Sequence, residues 1–484
     1  MLRQVITISL LAFPIFGYTQ PGVQMYPPKE ELGVIVFDKG TGLDTSCRFR
    51  SEGPLVIDIP IPAVVNEKEI NADGTLKDAS KLIRNQVIGA KARIIFPGWD
   101  VDDKATFDEV NPEVDTIKFN DKFVGIKTGL NDQWVLQQFE VDIQDLKFAH
   151  GTNTLRIDID TANVGNGDIW CTAVDWVAVK FDVAAPYVLA HGITGDMTTW
   201  DESNSPGVLQ ALDETGVLYT RFSTGANGSI TENGRDLMKK IGAFLKEHKS
   251  DKIHAIAHSK GGLDIQAMVA LMPKNNYFKV ISLSTLSTPH YGSILADLSM
   301  LALLKNNNIR TNGPDNGWLD IYLTEAWLAT QSGRAPEPPG LSDLQTRATA
   351  SAISIGFAGN ISPTYTIGAN ADLNQNRSLD ESEVEGMPVE FTALWSPAWH
   401  ILRDHASAHL VETQKKIVFG VTVWTTIYFE ATNTSTARDN DLSVTTFSAN
   451  PDYGQPLGDV SANHATVKSG ENIQKILDKT VPMR

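Results

Sequence analysis

Positive charge is scarce in this sequence. Lysine and arginine number 41 against 58 aspartates and glutamates, which gives a formal net charge of −17 and a pI of about 5.0. Such an acidic surface repels phosphate backbones, so no nucleic-acid partner is expected. Cysteine is scarcer still. Only Cys47 and Cys171 are present, so the chain carries either one disulfide or two separate buried thiols. Long apolar runs are missing as well. The run at residues 5–16 is too short for a bilayer and contains Pro14, so no transmembrane segment is expected. No cysteine follows that run, so a lipoprotein anchor is not indicated. No internal repeat recurs at a fixed period, which argues against a solenoid.

What remains is an ordinary globular balance, 42% hydrophobic and 20% charged. A chain of 484 residues exceeds what one core usually organises, so two or three domains are expected. The N-terminus reads MLRQVITISLLAFPIFGYTQPG. Arg3 gives a short positive region, the apolar run follows, and Gly17 and Thr19 are small enough for cleavage near residue 20. Residues 1–20 therefore read as a secretory signal, with a buried first helix as the alternative. Export would place the protein outside the cell or in a periplasm, where a Cys47–Cys171 bridge could persist.

Residues 21–184 read as all-β. GPLVIDIPI, ARIIFPGW, VDTIKFNDKFVGI, WVLQQFEVDI, NTLRIDIDTA and TAVDWVAVKFDV are short alternating or β-branched runs between Gly, Asn and Asp clusters. This spacing suggests a sandwich, with residues 76–86 as the one helix-like stretch. Within it, Asn120, Val124 and Gly125, then Gly151, Asn153, Leu155 and Ile157, resemble the NGxxVG and GxNxLxIxV pattern of galactose-binding-like jelly rolls found on many secreted hydrolases. Asp121 stands at the usual hairpin glycine. The resemblance implies a fold more than a ligand.

From residue 185 to 484 the pattern alternates strand and helix, which means a mainly parallel sheet covered on both faces. PYVLAHG, KIHAIAHS and KVISLSTLSTPH read as strands, and ENGRDLMKKIGAFLKEHKSD and GGLDIQAMVALM as helices. The pattern lapses between residues 291 and 400. It resumes with KKIVFGVTVWTTIYFEA as strand and GENIQKILDKTV as a final helix.

Ser259 lies where the strand KIHAIAHS meets the helix GGLDIQAMVALM. A serine hydroxyl attacks only with a base in reach, a group that orients the base, and N–H donors for the oxyanion. A tight strand-to-helix turn exposes such a serine, and it demands small residues two before and two after. Ala257 and Gly261 meet that demand.

The segment AHSKGG resembles the nucleophile elbow of α/β-hydrolase lipases, with Ala at the first small position. HGITG at 191–195 resembles the oxyanion loop of bacterial lipases, and TPHYGS at 288–293 resembles their TPHxGS stretch. The resemblance implies an α/β-hydrolase domain and the chain order Ser, acid, His. The family's acid sits in an NDGxV-like turn. Asn440, Asp441 and Val444 match it, while Leu442 replaces the glycine, and Asp439 is the rival acid. His464 is the only histidine after Asp441. The expected triad is Ser259, Asp441 and His464, with backbone N–H groups of Ile193 and Lys260 as oxyanion donors. The Lys260 side chain is expected to be solvated. His258 is expected to point away from the triad, and His191 to brace the oxyanion loop.

The lapse at about 291–400 reads as an insertion of the kind that forms lids, with SILADLSMLALLK and GWLDIYLTEAWLATQ as either mobile apolar helices or buried ones. Inside it, DLNQNRSLDESE at 372–383 fits a twelve-residue calcium loop. Asp372, Asn374, Asn376, Ser378, Asp380 and Glu383 fall at positions one, three, five, seven, nine and twelve, and Arg377 replaces the usual glycine at six. A structural Ca²⁺ is expected, and no organic cofactor.

The whole reads as a secreted serine hydrolase of carboxylic esters, acting on an ester or lipid at a lipid–water interface or polymer surface. Two alternatives stay open: a carbohydrate-ester or polyester hydrolase whose sandwich binds polymer, and a non-catalytic binding protein on a hydrolase scaffold.

Overall fold

The computed structural model describes residues 26–37, 47–99, 113–129, 133–162, 170–303, 309–311, 318–331, 339–346, 348–349, 356, 359–387, 392–404, 408–418, 421–431 and 439–483. The expected signal, residues 1–20, lies outside the described residues. The chain divides into two compact units: Met1–Ala63, Glu69–Ile83 and Ile88–Val183 form one, and Val64–Lys68, Arg84–Val87 and Ala184–Arg484 the other. The division is not a single cut near residue 184. Two short strips of the N-terminal region belong to the second unit. Val65 bridges Val217, and the Asn66 amide donates to Asp213 Oδ1 at 2.8 Å.

The first unit consists of two antiparallel sheets. One runs Val34–Phe37, Val177–Val183, Ile88–Trp99, Cys171–Val174 and Arg48–Phe49, with Trp134–Asp142 also paired to Ile88–Trp99. The other runs Leu55–Pro60, Thr152–Asp158, Thr116–Phe119 and Lys122–Ile126. The alternation follows from period-two sequence. In Val177–Val183 the polar Lys180 and Asp182 face out, and the apolar residues between them are buried. The two sheets meet where Gly125 faces Phe139, with room for no Cβ: one would stand 2.6 Å from the ring.

The residues that suggested a jelly roll hold this unit together. Asn120 and Asp121 both have positive φ, 48° and 63°, as a two-residue hairpin turn of the primed type requires. Asn153 is fully buried. Its amide donates to the carbonyls of Ile59 and Lys147, and its oxygen accepts from Asn120 Nδ2 and Lys147 N. Cys47 and Cys171 are bonded, with Cα atoms 5.3 Å apart. Ala79–Arg84, whose last residue belongs to the second unit, is the one α-helix of this region among the described residues.

The second unit has a six-stranded parallel sheet in the order Tyr219–Phe222, Tyr187–Ala190, Lys252–His258, Lys279–Leu286, Thr364–Ile367 and Gln455–Pro456. Tyr187–Ala190 is buried throughout, and Lys252–His258 at every residue but Lys252, as a sheet covered on both faces demands. Helix Ile230–Glu247 opens on a capping box between Ser229 and Glu232. It presents Leu237, Ile241 and Leu245, spaced four apart, to the core formed with Val188, Ala255, Ile265 and Met268. Gly234 brings it close to helix Lys260–Leu271, since a Cβ there would lie 2.8 Å from Met268 N.

Two sequence expectations are corrected here. The segment KKIVFGVTVWTTIYFEA is not a strand of the main sheet. It contributes to two strands, Ala408–Val418 and Val421–Ala431, which pair antiparallel with each other, and the second pairs with Ile309–Thr311 in a separate sheet. A sustained β-branched run reads alike in either setting. Conversely, the lapse at 291–400 hides a main-sheet strand, Thr364–Ile367, whose four residues are too few to show a period. The helices Ile294–Leu303, Trp318–Gln331 and Thr392–Asp404 pack together through Ile294, Leu298, Tyr322, Leu323, Ala398 and Leu402. Among the described residues no helix is long and apolar enough to cross a membrane.

Candidate active site

Ser259 stands between strand Lys252–His258 and helix Lys260–Leu271 at φ 54° and ψ −133°. That backbone is strained for a side-chain residue, and it persists only where surroundings hold it. They do so here. Ser259 N–H donates to Leu286 O at 2.9 Å, and its carbonyl accepts from Thr288 Oγ1 at 2.8 Å. The small residues are required by close approach: a Cβ on Gly261 would meet His191 O at 2.5 Å, and one on Gly262 would meet the Thr288 hydroxyl at 2.3 Å. A Cβ on Gly192 would stand 2.7 Å from that of Ser259.

The three expected triad residues converge. His464 Nε2 lies 2.9 Å from Ser259 Oγ, and His464 Nδ1 lies 2.7 Å from Asp441 Oδ2. Hydrogen on Nδ1 donates to the carboxylate, which leaves the Nε2 lone pair for the serine proton. Asp441 is buried, and its other oxygen accepts from Ser443 N at 2.9 Å and Val444 N at 2.7 Å. This turn explains the sequence register. Leu442, which replaces the glycine of the resembling NDGxV pattern, has φ 80°, a left-handed backbone, while its side chain is buried against Ala371, Met387 and Trp399. Asp439 is exposed, and its backbone carbonyl, not its carboxylate, is engaged, by Thr446.

Lys260 is the first residue of its helix, where backbone N–H groups have no partner within the helix. Among the described residues no hydrogen bond engages the N–H of Lys260 or of Ile193. His191 braces the loop as expected. Its Nε2 accepts from Thr224 N at 2.9 Å, so its Nδ1–H donates to Gly192 O at 2.8 Å, and burial pushes its pKa down.

The Lys260 side chain is not solvated. It is 1% exposed, and its ammonium lies 2.7 Å from Asp264 Oδ1. Asp264 also accepts from Asn233, which donates on to Gly225 O, and burial still raises the carboxyl to about 6. A lysine beside an elbow serine gives no sequence sign of burial, but Asp264 one helical turn on is such a sign. His258 does not point away from the triad either. Its Nε2 lies 2.8 Å from the backbone oxygen of His464.

Sequence reasoning did not single out the residues that bind these parts together. Thr288 holds the elbow carbonyl, Ser293 Oγ donates to Ser443 O in the turn that carries Asp441, and Ser448 Oγ donates to Gly292 O. The signal was TPHYGS itself, whose hydroxyls here tie the elbow to the Asp441 turn.

The calcium expectation is not supported. Residues 372–383 do form a tight loop, and Arg377 takes φ 64° where a glycine was expected. Yet among the described residues no three acidic, histidine or cysteine groups are gathered to hold a metal. The loop's acceptors are turned on its own donors. Asp372 accepts from Asn376 N and Arg377 N, Asp380 from the Asn374 and Asn376 amides, and Glu383 from Leu373 N and Asp380 N. Asn374 and Asn376 oxygens accept from Asn376 N and Ser378 N.

Comparison with known proteins bears on the same residues. Residues 187–308 match the family described as "Putative serine esterase (DUF676)". The match includes Ser259, Lys260 and Ile193 and stops before Asp441 and His464. Triacylglycerol lipase 2 of Saccharomyces cerevisiae is 33% identical over 140 residues, 28% of this chain and 43% of that protein. The chain thus spans less than half the length of that curated relative. Among solved structures, the mature Bacillus licheniformis lipase BlEst2 is 20% identical, with 62% of this chain and 92% of that one covered at a TM-score of 0.40. The metagenomic carboxyl esterase MGS0156 is 15% identical, with 61% and 76% covered at a TM-score of 0.37.

Proposed function

We propose that this protein is a serine hydrolase of carboxylic esters, an esterase or lipase. The observation that carries the reading is the unbroken chain Ser259 Oγ, His464 Nε2, His464 Nδ1, Asp441 Oδ2 at 2.9 and 2.7 Å. The likeness of residues 187–308 to a serine esterase family supports it.

Ser259 Oγ attacks the ester carbonyl carbon while His464 Nε2 takes its proton. The negative charge that develops on the carbonyl oxygen is held by the N–H groups of Ile193 and Lys260, each worth ~3 kcal/mol of transition-state stabilisation. Asp441 fixes the imidazole tautomer and balances the imidazolium. His464 then passes the proton to the leaving alkoxide oxygen, and the acyl group stays on Ser259. Water, deprotonated by His464, attacks that acyl carbon, and Ser259 leaves with the proton returned through Nε2.

The reading includes export, supported by the Cys47–Cys171 bond, since disulfides persist in oxidising compartments. It also takes the helices Ile294–Leu303 and Trp318–Gln331 as cover over a greasy substrate, supported by the exposed Ile321 and Leu328 on the latter. The first unit is taken as an accessory domain. The test is a phosphonate ester inhibitor followed by peptide mapping, with a p-nitrophenyl ester chain-length series. Label on Ser259 and loss of turnover in Ser259→Ala are expected. Full activity in Ser259→Ala would sink the reading.

A further inference from the structure

We propose that His258 is a positioning residue for His464, acting through the backbone of the loop that carries the base. The inference rests on the serine-hydrolase reading above. It is carried by geometry. His258 Nε2 lies 2.8 Å from the His464 carbonyl oxygen, and the two rings stand 4.7 Å apart between centroids. A carbonyl only accepts, so His258 donates through Nε2–H. The same ring abuts the oxyanion loop, since a Cβ on Gly192 would stand 3.4 Å from its Nδ1. One side chain, attached to the residue before the nucleophile, therefore meets both the base loop and the oxyanion loop.

The next carbonyl of the loop is held in the same way. Lys468 Nζ donates to Ala465 O at 2.9 Å, and both Lys468 and His258 are buried. Two adjacent carbonyls, of His464 and Ala465, are thus each capped by a buried side-chain donor. His464 N–H meanwhile donates to Asp441 O at 2.9 Å. The base is gripped on both sides of its Cα. His258 remains neutral in this setting, because burial and then the Lys468 charge hold its pKa well below the ordinary range. A neutral donor fixes the loop without adding a positive charge beside the imidazolium that forms on His464.

A loop-borne base held this way should lose its alignment with Ser259 when the donor is removed, while substrate binding stays. The test compares His258→Gln with His258→Asn in the full chain. Both side chains are neutral amides. The Gln N–H reaches about as far as Nε2, and the Asn N–H only about as far as Nδ1. Active sites are counted by phosphonate titration run to completion, and kcat per titrated serine and KM are measured on a p-nitrophenyl ester. We expect His258→Asn to lower kcat per site about 10- to 100-fold, with KM within about twofold, and His258→Gln to recover most of it. A role in stability alone would reduce the number of titratable sites and leave kcat per site equal in both variants. That result would overturn the inference and leave the serine-hydrolase reading standing. A wild-type chain that takes no phosphonate on Ser259 would overturn both.

Discussion

Asp441 grips His464 twice: its carboxylate lies 2.7 Å from Nδ1, and its carbonyl accepts the His464 backbone N–H at 2.9 Å. His464 is thus fixed in both ring and backbone by one residue. Asp439, two positions earlier, has neither contact. Asp441→Asn should keep the fold and lower kcat by about 10⁴-fold, because an amide favours the wrong imidazole tautomer. Asp439→Asn should leave kcat within about threefold of wild type, because its carboxylate does not contact His464. Steady-state kinetics on both variants, with circular dichroism to check folding, decides the matter. The opposite ranking would move the acid to Asp439.

The elbow was legible in sequence because its demands are steric and local. Ala257, Ser259 and Gly261 are spaced by the turn itself, and Gly261 has carbonyl oxygens where a Cβ would go. The pairing of Asp441 with His464 was legible through chain order and the Val444 register, which the structure explains by the Val444 N–H bond to Asp441 Oδ1. Thr364–Ile367 was not legible, because strand pairing is nonlocal and four residues show no period. The burial of Lys260 and the aim of His258 depend on what packs against them from distant segments. His258 meets a carbonyl 206 residues away.

Lys260 and Asp264 form an ion pair with both side chains at most 2% exposed. Removing one partner leaves the other charge buried alone. Lys260→Met should destabilise the chain at pH 7 by roughly 3–5 kcal/mol, while Lys260→Met with Asp264→Leu should recover most of that. Burial already raises the Asp264 carboxyl to about 6, so the folded state holds its proton at a pH where the unfolded chain has released it. The stability that Asp264 contributes therefore falls as pH rises from about 4 to 6. The single variant should be less impaired at pH 5 than at pH 7. Urea unfolding at both pH values reads this, and equal losses would argue against a buried charge as the cause.

The loop at 372–383 closes through its own hydrogen bonds. Melting curves in EGTA and in excess calcium are therefore expected to coincide. A Tm several degrees higher with calcium would show the acceptors turning inward on an ion, by mass action on the folded state. Glu383 matters to this loop without a metal. It is 1% exposed, its carboxylate accepts from Leu373 N and Asp380 N, and its carbonyl accepts from Asn463, the neighbour of His464. Glu383→Ala should cost roughly 1–3 kcal/mol in urea unfolding, because those N–H donors lose their acceptor. A neutral effect would mean that water replaces the carboxylate.

Lys468 gives the site an alkaline signature. Burial lowers its ammonium from the ordinary 10.5 to about 8, opposed by the nearby Asp441 charge. Below about 8 the folded and unfolded states both hold the proton, and folding then buries a charge at a cost of roughly 3 kcal/mol. Between about 8 and 10.5 the unfolded chain holds more protons than the folded one, so the contribution of this residue to stability rises with pH. Above that window the cost is gone. Lys468→Met removes the charge and also the donor to Ala465 O, a bond worth about 1 kcal/mol. The variant should therefore be more stable than wild type at pH 7 by roughly 2 kcal/mol, and the gap should close by pH 10. Urea midpoints at pH 7, 8.5 and 10 follow it directly. A gap that stays constant with pH would mean that Lys468 keeps an ordinary pKa and that its ammonium finds water or a carboxylate in the folded state.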